Sequence, residues 1–269
     1  MTDAVGQKVG SSDSVVSVKG LHAGYGTREI LSDISLEVAP GEIRAILGRS
    51  GCGKSTVLRN ILGLEKPWSG TVRVLGADLA EGGSEADLAL SRIGVLFQDG
   101  ALVTSLTVGQ NVMLPLVVDK VEPKGAAEEL ARARLSQVRL DQAWGMFPSE
   151  LSGGMRKRAS LARAQVREPR NLFCDEPSAG LDPLVSRELD DLLLELHASL
   201  GLAIVLVSHE LDSIKVLARK ILYLDQGKTL FDGTLQDAMD NGPKPVQDFF
   251  ARRVDPSDKP SPSQWEIIQ

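Results

Sequence analysis

The chain has 269 residues, of which 42% are hydrophobic and 25% are charged. This length fits one large domain or two small ones, and the balance is ordinary for a globular protein with a sizeable core. A formal net charge of −6 argues mildly against a nucleic-acid partner, which usually requires a basic face. Cys52 and Cys174 stand alone in unrelated contexts, so neither a disulfide framework nor a zinc ribbon is expected.

The first half of the chain predicts strands separated by turns. Residues 1–14 are polar, lack the apolar core of a signal peptide and are expected to form a flexible lead. Apolar and β-branched runs predict strands at 15–18, 34–38, 43–47 and 71–75. Between the last two, residues 55–62 read as a helix that ends at Gly63.

The second half alternates helices with buried strands. Residues 99–168 are mostly helical in pattern, and 128–140 carry one apolar stripe. Further strands are predicted at 172–174 and 204–207, a helix at 184–200, and a hairpin of 221–224 with 229–231. The alternation predicts an α/β fold with a mostly parallel core sheet, into which the helical block is inserted. The longest apolar runs, such as 202–207, are too short to cross a bilayer.

A glycine-rich motif follows the strand at 43–47 and precedes the helix at 55–62. It matches the phosphate-binding pattern G-x-x-x-x-G-K-[ST] with Gly48, Arg49, Ser50, Gly51, Cys52, Gly53, Lys54 and Ser55, and Thr56 continues it. Glycines let successive backbone N–H groups point at phosphate oxygens, and the helix start adds partial positive charge. Lys54 can reach the outer phosphates and Ser55 can ligate Mg²⁺. A plain glycine turn is the alternative, but the strand–loop–helix context favours a nucleoside triphosphate site.

Two acids follow the apolar run at 172–174. In a P-loop protein the first acid at such a strand end, here Asp175, holds Mg²⁺ directly or through water. The next acid, Glu176, would then lie near the terminal phosphate and could act as a general base on the attacking water. Taken alone, a solvated acidic turn is an equally good interpretation.

Residues 151–155 read Leu-Ser-Gly-Gly-Met and precede a helical pattern. Paired glycines and a serine at a helix start can bind an anion, although a simple N-cap by Ser152 is the default for these five residues alone. His209 follows the strand at 204–207 and precedes Glu210, but position 213 is Ser, so the zinc-protease pattern HExxH is not completed.

In their order along the chain, these motifs resemble the nucleotide-binding subunit of ABC transporters over about residues 15–235. The resemblance implies ATP and Mg²⁺ as ligands, an antiparallel β subdomain beside the core sheet, and an inserted helical subdomain at about 99–168. It assigns Tyr25 to adenine stacking, Gln98 to Mg²⁺ or the attacking water, and His209 to the terminal phosphate beside Glu176. Ser152, Gly153 and Gly154 would contact the nucleotide of a second copy, and Asp182 would belong to a loop at that interface. Each residue alone also has a plain structural interpretation, as a turn, a surface amide or a histidine at a strand end.

The resemblance further implies the organisation and the partners of the chain. It predicts one nucleotide-binding domain at 15–240, a short helical segment at 241–254 and a flexible tail at 255–269. Two composite sites imply a homodimer, which would dock on an integral-membrane permease at the cytoplasmic face of the inner membrane. Three details resemble the Mla phospholipid-transport ATPases, which work with MCE-type lipid-binding proteins: Met155, the segment 96–115 and the segment 242–250. Lipid transport is therefore expected, with an importer subunit for small polar solutes or an ABC ATPase without a permease as alternatives.

Two apolar segments leave their roles open. The stretch after Gln98, which includes Leu102 and Val103, fits either a permease-docking surface or the core of the helical block. The terminal segment 265–268 fits either a contact with a partner subunit or a disordered end.

Overall fold

The computed structural model describes residues 14–118 and 123–251. These described residues form ten strands: β1 (Val16–Tyr25), β2 (Arg28–Val38), β3 (Ile43–Gly48), β4 (Ser69–Val74), β5 (Ala77–Asp78), β6 (Ile93–Leu96), β7 (Asn171–Asp175), β8 (Ala203–Val207), β9 (Lys220–Asp225) and β10 (Lys228–Thr234). The α-helices are α1 (Lys54–Ile61), α2 (Gly83–Ser91), α3 (Val108–Val118), α4 (Lys124–Gln137), α5 (Gly153–Gln165), α6 (Pro183–Leu200), α7 (Leu211–Leu217), α8 (Leu235–Asp240) and α9 (Lys244–Phe250).

The core sheet has six strands in the order β10-β9-β3-β8-β7-β6. All pairs are parallel except β9 with β10, which form an antiparallel hairpin. The hairpin turns through Gln226 and Gly227, both of which have positive φ, as a tight two-residue turn requires. β3 and β8 are buried along their full length because helices or the second sheet cover both faces. The predicted α/β class and the predicted hairpin are confirmed.

The second sheet is antiparallel, with the order β2-β1-β4-β5. Its strands alternate buried and exposed residues, so its inner face packs on β3, β8 and α1 through Leu21, Leu31 and Ile34. β1 and β2 are longer than the predicted strands at 15–18 and 34–38, because each continues past a positive-φ residue, Gly20 and Asp33 respectively.

The region predicted to be helical contains α3, α4 and α5. The predicted apolar stripe on α4 is only partly right, since Leu135 is buried whereas Ala133 is exposed. Ala127 and Ala131 complete the buried face instead, four residues apart in each step, which is the helical repeat. The stretch after Gln98 was predicted to form either the core of the helical block or a permease-docking surface. Gly100 and Val108 are buried and belong to the core, whereas Val103 is 39% exposed. The docking role of the exposed part stays a prediction.

The C-terminal part of the described chain is helical. α9 begins after Pro243 and buries Val246 and Phe250 against the core. Several predicted segments lie outside the described residues. They are the flexible lead except Ser14, the last three residues of the helical segment at 241–254, and the tail 255–269 with its apolar part 265–268. Within 14–118 and 123–251, no helix has both the length and the apolar character that crossing a bilayer demands.

Candidate functional site

A cavity of about 730 Å³ opens at the carboxyl ends of the parallel strands. Loops after β3, β6, β7 and β8 meet there because parallel strands place their carboxyl ends at one edge of the sheet. The cavity is lined by Gly48, Arg49, Ser50, Gly51, Lys54, Ser55, Gln98, Asp175, Glu176, His209 and Phe249. All three catalytic candidates and all three metal candidates from the sequence therefore face one space.

The loop between β3 and α1 needs glycine at two positions for steric reasons. Gly48 has φ +144°, and a Cβ atom there would lie 2.3 Å from the carbonyl oxygen of Leu224. Gly53 has φ +108°, caps α1, and would bring a Cβ atom within 2.4 Å of Leu31. The loop therefore winds tightly against β9 and β2, and α1 starts directly at the cavity, where its partial positive charge favours an anion.

The predicted phosphate-binding residues differ in whether they line the cavity. The Lys54 ammonium lines the cavity and donates to the carbonyl oxygens of Gly48 (2.9 Å) and Arg49 (3.0 Å). Cys52 and Thr56, by contrast, are buried and do not line the cavity. Burial raises the pKa of the Cys52 thiol, while the charge of Lys54 acts in the opposite direction.

The donors that face the cavity suit Mg²⁺. Ser55 offers a hydroxyl, Gln98 an amide oxygen and Asp175 a carboxylate, and hard oxygen donors are what Mg²⁺ prefers. Burial, followed by the neighbouring charge of Glu176, raises the pKa of Asp175, whereas Arg59, Lys157 and Lys54 oppose the shift. A divalent cation would stabilise the ionised carboxylate in this partly buried place. Mg²⁺ bound there would neutralise phosphate charge.

Glu176 and His209 form a direct pair. His209 Nδ1 lies 2.8 Å from one carboxylate oxygen of Glu176, and the His209 backbone N–H donates to the other at 3.3 Å. The Glu176 side chain is 13% exposed, whereas that of His209 is 58% exposed. Glu176 also has φ +46°, an unusual conformation for a residue with a side chain. The backbone thus aims this carboxylate into the cavity, and His209 orients it there.

Tyr25 ends β1 beside the first turn of α1. Its hydroxyl donates to Glu65 at 3.0 Å and lies 3.5 Å from the hydroxyl of Thr56. The residue is 48% exposed and is not among the residues that line the cavity. Tyr25 therefore lies beside the first turn of α1 and outside the lining of the cavity, and its assignment to adenine stacking stays a prediction.

Ser152, Gly153, Gly154 and Asp182 do not line this cavity. The Ser152 hydroxyl caps α5 by accepting from the N–H of Met155 at 3.2 Å. The Asp182 carboxylate caps α6 by accepting from the N–H groups of Leu184 and Val185, both at 3.1 Å. Within one chain these two residues are N-caps, and a contact with nucleotide would have to come from a second copy.

Two residues near the cavity had no role in the sequence analysis. Phe249 lines the cavity from α9, and its ring packs edge-on against Tyr223 with centroids 5.4 Å apart. Lys157 is buried behind the cavity and donates to the backbone carbonyl groups of Gln98 and Glu176. The helical repeat could have indicated that Lys157 is buried, because Gly154, Lys157 and Leu161 are three and four residues apart and fall on the buried face of α5.

Comparisons with known proteins identify the fold and the family. The family model described as ABC transporter matches residues 31–179, more than half of the chain. The methionine import ATP-binding protein MetN of Latilactobacillus sakei is 40% identical over 209 residues, which cover 77% of this chain and 60% of that relative. The chain thus spans less than two thirds of the length of that curated relative.

Two solved structures are similar in fold. The cbiO1 protein of Clostridium perfringens, part of the ABC transporter complex cbiONQ, has a TM-score of 0.78 and 27% identity, with 86% of this chain and 92% of that one covered. The cassette MJ0796, solved as a post-hydrolysis dimer bound to ADP and Pi, has a TM-score of 0.74 and 28% identity, with 82% of this chain and 98% of that one covered. The residues matched by the family model include the glycine loop, Gln98, the 151–155 motif and the Asp175–Glu176 pair. Because the model matches more than half of the chain, the chain belongs to the ABC transporter family of ATP-binding subunits.

Proposed function

We propose that this chain binds and hydrolyses Mg-ATP and thereby drives transport through a separate membrane permease. The observation that carries the proposal is the shared cavity, into which the glycine loop, Gln98, Asp175 and the Glu176–His209 pair all project. Lys54 and the N–H groups of the loop would hold the phosphates, and Ser55 and Asp175 would hold Mg²⁺.

Hydrolysis would depend on Glu176 and its partner. The Glu176 carboxylate would accept a proton from the attacking water, and the hydrogen bond to His209 would keep that carboxylate oriented toward the water. A second copy would complete the site through Ser152 and Gly154 at the start of α5 and through Asp182 beside it. ATP would favour the closed dimer because it contacts both copies, and this difference in binding would move the attached permease.

The test of this proposal is the Glu176→Gln substitution, which keeps the shape of the side chain and removes its basicity. We expect ATP turnover to fall at least about 100-fold, because general-base catalysis contributes 10²–10⁴-fold, while ATP affinity stays within about twofold. Lys54→Ala serves as the contrast, since it should weaken nucleotide binding itself. Near-normal turnover in Glu176→Gln would remove Glu176 from the proposed role.

For the transported substrate, the relatives favour a small polar solute over a lipid. MetN is named for methionine import and shares 40% identity with this chain over 209 residues. We therefore propose an importer for a small polar solute such as an amino acid, with the chain at the cytoplasmic face of the plasma membrane through its permease. The reported relatives give no support to the expected MCE-type partner.

Lipid transport is a second candidate because of three local features. Met155 follows the glycine pair, the segment 96–115 leads from β6 into α3, and the segment 242–250 holds α9. All three were the basis of the resemblance to the Mla group. Of these three features, the segment 242–250 also contributes to the candidate site, because Phe249 of α9 lines the cavity.

One experiment separates the two candidates. The chain is purified with its native permease, and the complex is reconstituted into proteoliposomes. Stimulation of ATPase activity by an added solute-binding protein and uptake of labelled methionine would support the importer. Co-purification of an MCE-type protein and ATP-dependent movement of labelled phospholipid would support lipid transport instead. Purification of the active ATPase with no membrane protein bound to it would contradict both and favour a free ABC ATPase.

A further inference from the structure

Lys157 is a buried cation in the second turn of α5, behind the candidate site. The residue is 6% exposed. Its ammonium donates to the backbone carbonyl oxygen of Gln98 and to that of Glu176, the latter at 3.0 Å. A single side chain therefore connects three segments: the helix that begins after Ser152, the loop after β6 and the end of β7.

The surroundings of Lys157 show why a charge is tolerated there. Burying an ammonium costs free energy unless it is paired and hydrogen-bonded. Burial lowers the pKa of Lys157, whereas the carboxylates of Asp99, Asp175 and Glu176 favour its charged form. An apolar residue would fill this place without the desolvation penalty but could not donate to either carbonyl group. The two hydrogen bonds are therefore what distinguishes lysine at this position.

The backbone of Glu176 is held by hydrogen bonds on both sides of its Cα atom. Its N–H donates to the carbonyl oxygen of Val207 at 2.8 Å, and its carbonyl oxygen accepts from Lys157 at 3.0 Å and from the N–H of Ala179 at 3.2 Å. The backbone between these bonds has φ +46°, a left-handed conformation that costs roughly 1–2 kcal/mol for a residue with a Cβ atom. Such a conformation persists only when neighbouring contacts fix it. These bonds together fix the backbone that directs the Glu176 carboxylate, and Lys157 supplies the one that comes from a side chain.

We propose that Lys157 is a positioning residue for ATP hydrolysis, because its ammonium sets the separation of the Gln98 and Glu176 backbones and ties both to α5. This inference rests on the proposed function. Gln98 and Glu176 face the cavity from the loops after the neighbouring strands β6 and β7, and Lys157 links these loops beyond the ends of the strand ladder. A shift at the start of α5, where a second copy would bind, then reaches both residues through Lys157.

The test compares Lys157→Met, Lys157→Gln and Lys157→Arg in the full chain. Methionine fills the space without donating, glutamine can donate through one amide nitrogen, and arginine can donate to both carbonyl groups. We expect Lys157→Met to lower kcat about 10- to 100-fold, as for small misplacements of catalytic groups, with KM for ATP and ATP affinity within about twofold. Lys157→Gln should be intermediate, and Lys157→Arg should recover most of the lost kcat.

Lys19→Met is the matched control, since it removes an ammonium on a side chain that is 64% exposed. This ammonium pairs loosely with Glu37 at 3.8 Å. A wild-type chain without ATPase activity would refute the proposed function. An active wild type with kcat of Lys157→Met within twofold of it would refute the positioning role alone. Loss of kcat in proportion to the folded fraction, with no recovery in Lys157→Arg, would likewise overturn it. If Lys157→Met does not fold, the glutamine and arginine variants decide by the same kcat and KM criteria.

Discussion

Asp190 is a buried acid on α6 that the candidate site does not use. The residue is 2% exposed, and its Oδ1 atom has no hydrogen-bond partner among the described residues. Burial raises its pKa from 3.8 to about 6, although a hydrogen bond from Ser213 and the charge of Arg187 act in the opposite direction. The folded state therefore binds a proton on Asp190 more tightly than the unfolded chain does.

This difference predicts a pH dependence of stability. Between about pH 4 and pH 6 the unfolded chain has released this proton and the folded chain retains it, so the contribution of Asp190 to stability falls as pH rises. Asp190→Asn should remove that fall and raise the free energy of unfolding at pH 7.5 by about 1–2 kcal/mol. Urea unfolding at pH 4.5, 6 and 7.5 would measure it.

Asp191→Asn is the control for the Asp190 experiment. Asp191 is the next residue on the same helix, its side chain is 49% exposed, and it pairs with Arg187 at 3.0 Å. An exposed pair contributes little, so the change should stay within about 0.5 kcal/mol at each pH. An Asp190→Asn variant that is less stable than the wild type at pH 7.5 would contradict the burial argument.

At the scale of the elements, the packing of α3 depends on one small residue. Gly109 lies in the first turn of α3, and a Cβ atom there would lie 2.5 Å from the ring of Trp144. The guanidinium of Arg132 also packs on that ring, 3.9 Å from its centroid, and restricts its movement. The close approach of α3 to the chain after α4 therefore requires glycine at position 109.

Gly109→Ala and Gly125→Ala should have opposite effects on stability. Alanine at 109 meets the Trp144 ring, and overpacking of this kind costs about 1–3 kcal/mol. A Cβ atom at Gly125, in the first turn of α4, meets nothing within 4 Å, so the better helix propensity of alanine should stabilise by up to about 1 kcal/mol. Thermal unfolding of both variants measures the contrast, and equal effects would contradict the steric explanation.

At the scale of the whole molecule, Ser152 has an observed role as the N-cap of α5 and a proposed role in contacting the nucleotide of a second copy. In one chain its hydroxyl caps α5, but it lies away from the cavity of the same chain. If a second copy brings its terminal phosphate to this helix start, an added negative charge should prevent dimerisation. Aspartate and asparagine both cap helices well, so they differ in charge and not in capping.

Ser152→Asp and Ser152→Asn therefore form a matched pair in a Glu176→Gln background. With Mg-ATP we expect the asparagine variant to form dimers and the aspartate variant to stay monomeric, because the carboxylate repels phosphate. Light scattering after size-exclusion chromatography measures the mass, and ATP binding by the monomer checks the Lys54 site. Dimers of equal abundance in both variants would place the second copy elsewhere.

Much of the molecule was determined by local sequence. The glycine loop, the buried strands at 43–47 and 204–207 and the hairpin turn at Gln226 and Gly227 follow from glycine conformations and apolar runs, which act over a few residues. The predicted stripe on α4 was partly wrong because alanine signals burial weakly, so Ala127 and Ala131 became buried only through their neighbours. The roles of the site residues remain predictions.

Only the tertiary structure decided how distant residues meet. Gln98, Asp175 and His209 share a cavity because β6, β7 and β8 are parallel neighbours, and no local pattern encodes strand order. The same holds for Phe249, which reaches the cavity from α9, and for Lys157, which donates to Gln98 and Glu176. Local sequence determines backbone conformation over one turn or one strand, whereas these contacts depend on the packing of whole elements against one another.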